Sequence, residues 1–361
     1  MKMLKNILKL TAIWMAATVS FTACEVDTTT VMFEEDHDFS QPGDTVFSML
    51  GILDKVQDVV EKGVLLGELR GDLVKPDPFV GTSSAWVDLT RFENLENATF
   101  NRYRDYYAIV NNCNFYLERA DAEMERRGQK VFLKEYAAVS AYRAWAYLQL
   151  ALLYGEVPFY TQPLLSYSEI EQVMNDPSKR KGLGEICSYF IDDLLPYVDV
   201  PFPNYGNFTY DQSSSVNSSD FFLPIRLLRG DLYLWRGSLD GNKSDFAKAA
   251  QEYRDYLLSE KRFVSPDVKV AYRTVDMDGA QIVDRWSSVF LGNNYNESIS
   301  LVPFAGNSQY GKLGSLRQSF RSFMGSDALQ KLVDESYYCY VMYTEAVSYT
   351  HLRAHETRHD L

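Results

Sequence analysis

The stretch "EYAAVSAYRAWAYLQLALLYGEVPF", Glu135 to Phe159, decides the fold. It is apolar nearly all round, and a helix of that kind belongs in the middle of a helical domain rather than on its surface. Ala137, Ala141, Ala144, Leu148 and Ala151 form one stripe of mostly small side chains, against which neighbouring helices approach closely. Ser140, Arg143 and Gln149 argue against a membrane span, because polar groups of this density are costly in hydrocarbon. Gly155 is placed to take a left-handed cap, and Pro158 prevents continuation of the helix.

Working outward, further amphipathic helices flank it. From Thr45 to about Leu66, Met49, Leu53, Val56 and Val60 recur at helical spacing, and Tyr106, Val110, Cys113, Leu117, Ala120 and Met124 do the same in the next. Downstream helices are expected over Leu183–Tyr197, with Ile186, Phe190 and Leu194 inward, then over Pro224–Arg236 and Ser244–Ser259. In "RLLRGDLYLWRGSLDGNKSDFAKAAQEYRDYLLSEKRF", Gly230 and Tyr233 lie three apart and Ala249 and Tyr253 four apart, the packing logic of a tetratricopeptide helix pair. The connection is longer than that repeat's consensus and no strict period of about 34 residues recurs, so the repeats are degenerate. The expected fold class is mainly α, a scaffold of degenerate tetratricopeptide-like helix pairs with loop-rich insertions and few short strands.

With 361 residues, 46% of them hydrophobic, the chain holds one large core or two smaller ones, which excludes fibrous and disordered classes. A net charge of −13 without a basic patch excludes nucleic acid as partner. Aromatic residues reach 14%, enough to supply both core packing and flat stacking surfaces.

The N-terminus, "MKMLKNILKLTAIWMAATVSFTAC", carries Lys2, Lys5 and Lys9, an apolar run from Leu10 to Phe21, and Thr22-Ala23 before Cys24. The run is too short to span a bilayer and reads as an export signal over residues 1–23. Small residues directly before a cysteine fit lipoprotein processing, with Cys24 acylated as the new N-terminus, although Phe21 departs from the usual Leu. Residues 24–44 include the acidic, polar "EVDTTTVMFEEDHD" and read as a tether. Cys113, Cys187 and Cys339 then remain, an odd number whose spacing suits neither a disulfide framework nor a zinc knuckle, so they are expected as buried free thiols.

From Met1 to about Tyr343 the sequence resembles the SusD/RagB-like outer-membrane lipoproteins. The resemblance is carried by the signal through Cys24, "GELRGDLV" at Gly67–Val74, "YYAIVNNCNFYLERAD" at Tyr106–Asp121, "AYRAWAYLQLALLYGEVPF" at Ala141–Phe159, and the Leu227–Phe263 helix pair. It implies a SusD-like scaffold and a non-enzymatic binder on the outer membrane, anchored through Cys24 and facing the cell exterior. Such a protein passes glycans or other nutrients to a SusC-like TonB-dependent transporter. It also implies a SusD-like helical-repeat region over residues 45–265 and the start of a C-terminal region over 266–347. No cofactor is implied.

Ligand positions do not carry over by motif, so candidates come from loop aromatics with polar neighbours. In "DPFVGTSSAWVDLTRF", Phe79 and Trp86 stand with Asp88 and Arg91; in "VPFPNYGNFTYDQ", Tyr205, Phe208 and Tyr210 stand among Asn residues. An aromatic face suits the C–H face of a pyranose, and the flanking groups suit its hydroxyls. Trp286, Tyr295 and Phe304, near the strand-like "ESISLVPF", are weaker candidates.

Other motifs are discounted. "RGD" at Arg70–Asp72 and Arg229–Asp231 reads as surface ion pairing rather than adhesion. "DMDG" at Asp276–Gly279 lacks the later ligands of a calcium loop. Asp192-Asp193 reads as a solvated helix edge rather than a glycosidase pair. "HETRH", His355–His359, matches the zinc-peptidase pattern, but that site needs a further downstream ligand and only two residues follow. Residues 348–361 read instead as a non-native tail attached where a longer protein was cut, and no metal site is assigned. The competing classes are a secreted glycoside hydrolase or peptidase, and a helical-repeat adaptor without small-molecule ligand.

Overall fold

The computed structural model describes residues 39, 42–71, 74–76, 84–94, 102–209, 215–259, 274–275, 282–283, 299–302, 304, 320–321 and 341–343. Cys24, the export signal, most of the tether, "DMDG" and the "HETRH" tail lie outside them. Eight helices occur among the described residues: α1 Pro42–Arg70, α2 Ser84–Arg91, α3 Arg104–Arg119, α4 Leu133–Tyr154, α5 Tyr167–Asn175, α6 Leu183–Asp193, α7 Ile225–Asp240 and α8 Lys243–Ser259. The fold is mainly helical. None of these helices is long and apolar enough to cross a membrane.

Strands are short: β1 Val74–Pro76, β2 Glu125–Arg126, β3 Gln129–Lys130, β4 Val157–Pro158, β5 Arg180–Lys181, β6 Asn207–Thr209, β7 Ser215–Asn217, β8 Thr274–Val275, β9 Ile282–Val283, β10 Phe320–Arg321 and β11 Val341–Tyr343. They form four two-stranded ladders and one three-stranded sheet in the order β1-β11-β10. In that sheet Val74 pairs with Tyr343 antiparallel, and Phe320 with Val341 parallel. "ESISLVPF" is not a strand where it is described: Leu301 makes one backbone bond, to the Asp220 carbonyl at 2.9 Å, and the chain there is irregular.

Helix α4 occupies the centre. Its stripe Ala137, Ala141, Ala144, Leu148 and Ala151 is buried, as are Tyr142 and Tyr147 on its other faces. It packs on α1, α3, α6 and α7, which close a single core around it. Gly155 ends the helix, its N–H bonded to the Ala151 carbonyl at 3.0 Å, but with φ 78° and ψ −126° it is mirror-extended rather than left-handed helical. Only glycine takes that conformation without a Cβ clash, and it turns the chain sharply into β4.

Polar side chains, more than ladder bonds, hold the segment after α4 against the core. Tyr107 Oη donates to the Pro158 carbonyl at 2.6 Å, and Tyr147 Oη both donates to the Tyr160 carbonyl at 2.6 Å and accepts from the Tyr160 N–H at 2.9 Å. Asn111 clasps Leu164 from both sides: its amide donates to the carbonyl at 3.0 Å while its oxygen accepts the N–H at 2.8 Å. Asn114 donates to the Gln162 carbonyl at 3.2 Å, and Arg143 donates to Asn114 Oδ1 at 3.2 Å and to Asp193 at 3.1 Å. A buried polar group is costly unless satisfied, so these residues specify one path for the backbone. That accounts physically for "NNCN" and "AYRAWAY".

Helix α7 packs most extensively on α8. A Cβ on Gly230 would stand 2.3 Å from a ring carbon of Tyr253, so the helices meet there at backbone distance. Tyr253 Oη in turn donates to Asp231 at 2.6 Å. Arg229 does not make the surface ion pair expected of it, and Asp72, the expected partner of Arg70, lies outside the described residues. Arg229 is buried and pairs with the largely covered Glu252 at 3.3 Å, while Arg70 Nη1 donates to the Leu153 carbonyl at 2.7 Å, capping the C-terminus of α4.

Cys113 and Cys187 are buried free thiols, and burial pushes each up to about 12. They are inert fillers of the core, since only a thiolate is nucleophilic. Cys339 lies outside the described residues.

Candidate functional site

After α6 the chain makes a short 3-10 turn, Leu195–Tyr197, runs irregularly to Gly206, folds into the β6–β7 hairpin, and makes a second turn, Ser218–Phe221, before α7. Local polar bonds fix this path. Asn204 Oδ1 accepts the Gly206 N–H at 2.8 Å, and the wholly buried Ser218 accepts the Tyr205 N–H at 2.7 Å. Asn217 caps the second turn through the Ser219 N–H at 3.0 Å. Gly206, at φ 90°, makes the bend a side chain would oppose.

The aromatic residues of this loop point largely at the protein body. Tyr205 Oη donates to Glu135 Oε1 at 2.7 Å, and Tyr116 Oη donates to the other oxygen, Oε2, also at 2.7 Å. The Tyr205 ring meets Phe222 at 6.3 Å and the Phe208 ring meets Phe221 at 5.7 Å. Burial, reinforced by the Glu135 carboxylate, raises both the Tyr116 and Tyr205 phenols far above their ordinary range and keeps them as donors. Tyr205 therefore ties the loop to the start of α4, while Tyr210 lies outside the described residues.

The other group is only partly placed. Phe79 lies outside the described residues, and the stretch expected as a loop folds from Ser84 to Arg91 into α2, which rests on α1 and β1. Trp86 is on α2 but its side chain is outside the described residues; Asp88 is half-buried and Arg91 exposed. α2 rests on α1 and β1, whereas the Tyr205 and Phe208 rings meet Phe222 and Phe221. Of the weaker candidates, Trp286 and Tyr295 lie outside the described residues and Phe304 lines a cleft.

Two clefts flank the connection that leads from the hairpin into α7. One, of about 370 Å³, lies among the starts of α4 and α7 and the end of α8, lined by Lys134, Val198, Phe202, Arg226 and Tyr256. The other, of about 430 Å³, lies between α1, α4 and residues 299–304, lined by Val60, Trp145, Phe221, Val302 and Phe304. Leu223 contributes to both walls. Arg226 is paired in the first cleft with Asp199 at 2.6 Å and Glu252 at 3.3 Å, while the exposed Lys134 also lines it. No group of three His, Cys, Asp or Glu among the described residues is placed to hold a metal ion.

No protein-family model matches the chain, and no curated protein matches it. It is similar to solved structures of SusD-like proteins. One is a SusD homolog from Bacteroides thetaiotaomicron, 16% identical, with 75% of this chain and 55% of that chain covered and a TM-score of 0.47. A second is B. fragilis NanU, 16% identical over 62% of this chain and 42% of that one, TM-score 0.42. A third is a laminarin-binding SusD-like protein, 18% identical over 56% of this chain and 42% of that one, TM-score 0.37. The chain spans 42% of the length of each of the last two.

Proposed function

We propose that this chain is a nutrient-binding lipoprotein of the SusD/RagB-like kind, without catalytic activity, which captures oligosaccharide at the outer membrane and passes it to a SusC-like TonB-dependent transporter. The observation that carries the reading is internal. The residues that give the sequence its resemblance, Asn111, Asn114, Arg143 and Tyr147, converge on one buried network that fixes the path from Tyr154 to Leu164. The Gly230–Tyr253 interlock supports the repeat-like helix pair in the same way. The sequence through Cys24 supplies the lipid anchor, and the ligand residues proposed remain Phe79, Trp86, Asp88, Arg91, Phe208 and Tyr210, with Tyr205 reassigned as the anchor of its loop. The test is a glycan array and calorimetry on the full chain, together with fractionation of cells expressing the protein with Cys24 or Cys24→Ser. Binding without turnover, membrane retention that requires Cys24, and weakened binding in Trp86→Ala are expected. Product formation from any retained sugar, or no binding at all, refutes the reading.

A further inference from the structure

Three non-glycine residues among those described have positive φ: Phe92 at 58°, Asn94 at 47° and Arg127 at 54°. Two have ordinary explanations. Arg127 sits with Gly128 in the two-residue turn between β2 and β3, which requires positive φ at both positions, and Asn tolerates the left-handed region better than most residues. Phe92 has no such explanation.

Phe92 follows the last residue of α2, where the Glu93 N–H bonds the Asp88 carbonyl at 2.8 Å and the Phe92 N–H bonds the Leu89 carbonyl at 3.2 Å. This pair of bonds defines a Schellman ending, whose left-handed residue is ordinarily glycine and whose flanking positions are ordinarily joined by an apolar contact. Here the left-handed residue is phenylalanine and the flanking pair is Asp88 and Glu93, so both usual stabilising features are missing. The ring is not there for packing, since Phe92 is 62% exposed. Its chain neighbours Arg91, Glu93 and Asn94 are exposed and polar.

We infer that Phe92 is a ligand-contacting residue, its ring a stacking platform for the C–H face of a neutral sugar, with Arg91, Glu93 and Asn94 placed to meet hydroxyls. Strained backbone that displays rather than buries a side chain is the signature of a position kept for binding at the expense of stability. The inference rests on the oligosaccharide-binding reading above and adds to it a residue and a mode of contact.

The test compares the full chain with Phe92→Gly and Phe92→Tyr, titrating each with maltohexaose, laminarihexaose, xylohexaose and chitohexaose and recording thermal unfolding. Phe92→Gly is expected to lose roughly tenfold or more in affinity for whichever sugar the parent binds, with its unfolding midpoint unchanged or raised. Phe92→Tyr is expected to bind within about twofold of the parent, because the ring is kept. If Phe92→Gly binds as tightly as the parent, or if its midpoint falls by several degrees and marks the ring as a packing residue, the inference is overturned while the oligosaccharide-binding reading stands. If the parent binds none of the four sugars and none on the array, that reading fails and this inference with it.

Discussion

One edge of the Tyr253 ring lies against the backbone of Gly230, with no space between them for even a methyl group: a Cβ there would stand at 2.3, 2.7 and 2.9 Å from three ring atoms. The ring cannot swing aside without breaking its 2.6 Å bond to Asp231. Gly230→Ala is therefore expected to destabilise the protein by about 1–3 kcal/mol, the usual cost of overpacking. Urea unfolding checks this. A double variant, Gly230→Ala with Tyr253→Ala, should recover part of the loss relative to the sum of the single changes.

Arg143 joins α4 to Asn114 of α3 and Asp193 of α6, with its guanidinium 6.0 Å from the Phe190 ring centre. Removing one partner of a buried ionic network leaves the others desolvated and unpaired. Arg143→Met is expected to cost about 2–3 kcal/mol, tempered by the partial exposure of Asp193. Hydrogen exchange should quicken at the Tyr160 and Leu164 amides, which flank the Gln162 carbonyl that Asn114 holds. Unchanged exchange there would show that Asn111 and Tyr147 hold the segment without help.

Tyr205 is expected to act on ligand binding only through the loop it anchors. Tyr205→Phe keeps the ring and loses one bond to Glu135, at a cost of about 1 kcal/mol, and should speed amide exchange over residues 205–209. A change in sugar affinity with unaltered exchange would return Tyr205 to the ligand.

Asp245 accepts two bonds from Arg236, at 2.6 and 2.8 Å, and these hold its carboxyl below the ordinary value of 3.8. A depressed carboxylate contributes stability that is present above its unfolded pKa and is lost as pH falls through the folded one. Asp245→Asn should therefore destabilise by about 2 kcal/mol at pH 7. The difference between parent and variant should shrink below about pH 3.8, read by urea unfolding at both pH values.

Periodicity made the long helices legible. α1 and α7 run further than the expected segments, to Arg70 and Asp240, whereas α3 stops at Arg119, leaving Ala120 and Met124 beyond its end, and α6 stops at Asp193 before a 3-10 turn over Leu195–Tyr197. The short helices α2 and α5 were not legible, since α2 has eight residues in a Gly- and Ser-containing stretch and α5 buries none of its side chains. Whether a loop tyrosine is displayed or pinned has no local signature. The available clue was Glu135, an acid at the start of an otherwise apolar buried helix, which required donors from elsewhere. Arg229 misled in the opposite way, because an RGD triplet reads as surface polarity until the neighbouring helix supplies Glu252. Phe92 closes the stretch that holds Phe79 and Trp86, but its left-handed backbone was not legible because a Schellman ending is recognised in sequence by glycine.

The two-residue ladder of β4 with β5 closes a neck, and everything from Leu165 to Lys179 hangs beyond it: α5, capped by its own Ser166–Glu169 box, and one further turn. The core is sealed below that neck by Tyr107, Asn111 and Tyr147, none of which touches the excursion through the contacts described. Met174 alone leans from α5 onto the core, and no side chain of α5 is fully buried, so length and composition there weigh little on foldability. Descendants of this sequence can lengthen, shorten or replace the excursion while giving up little of the core beyond the Met174 contact, which makes it the natural place for relatives to diverge and for an epitope or fluorophore tag to be inserted.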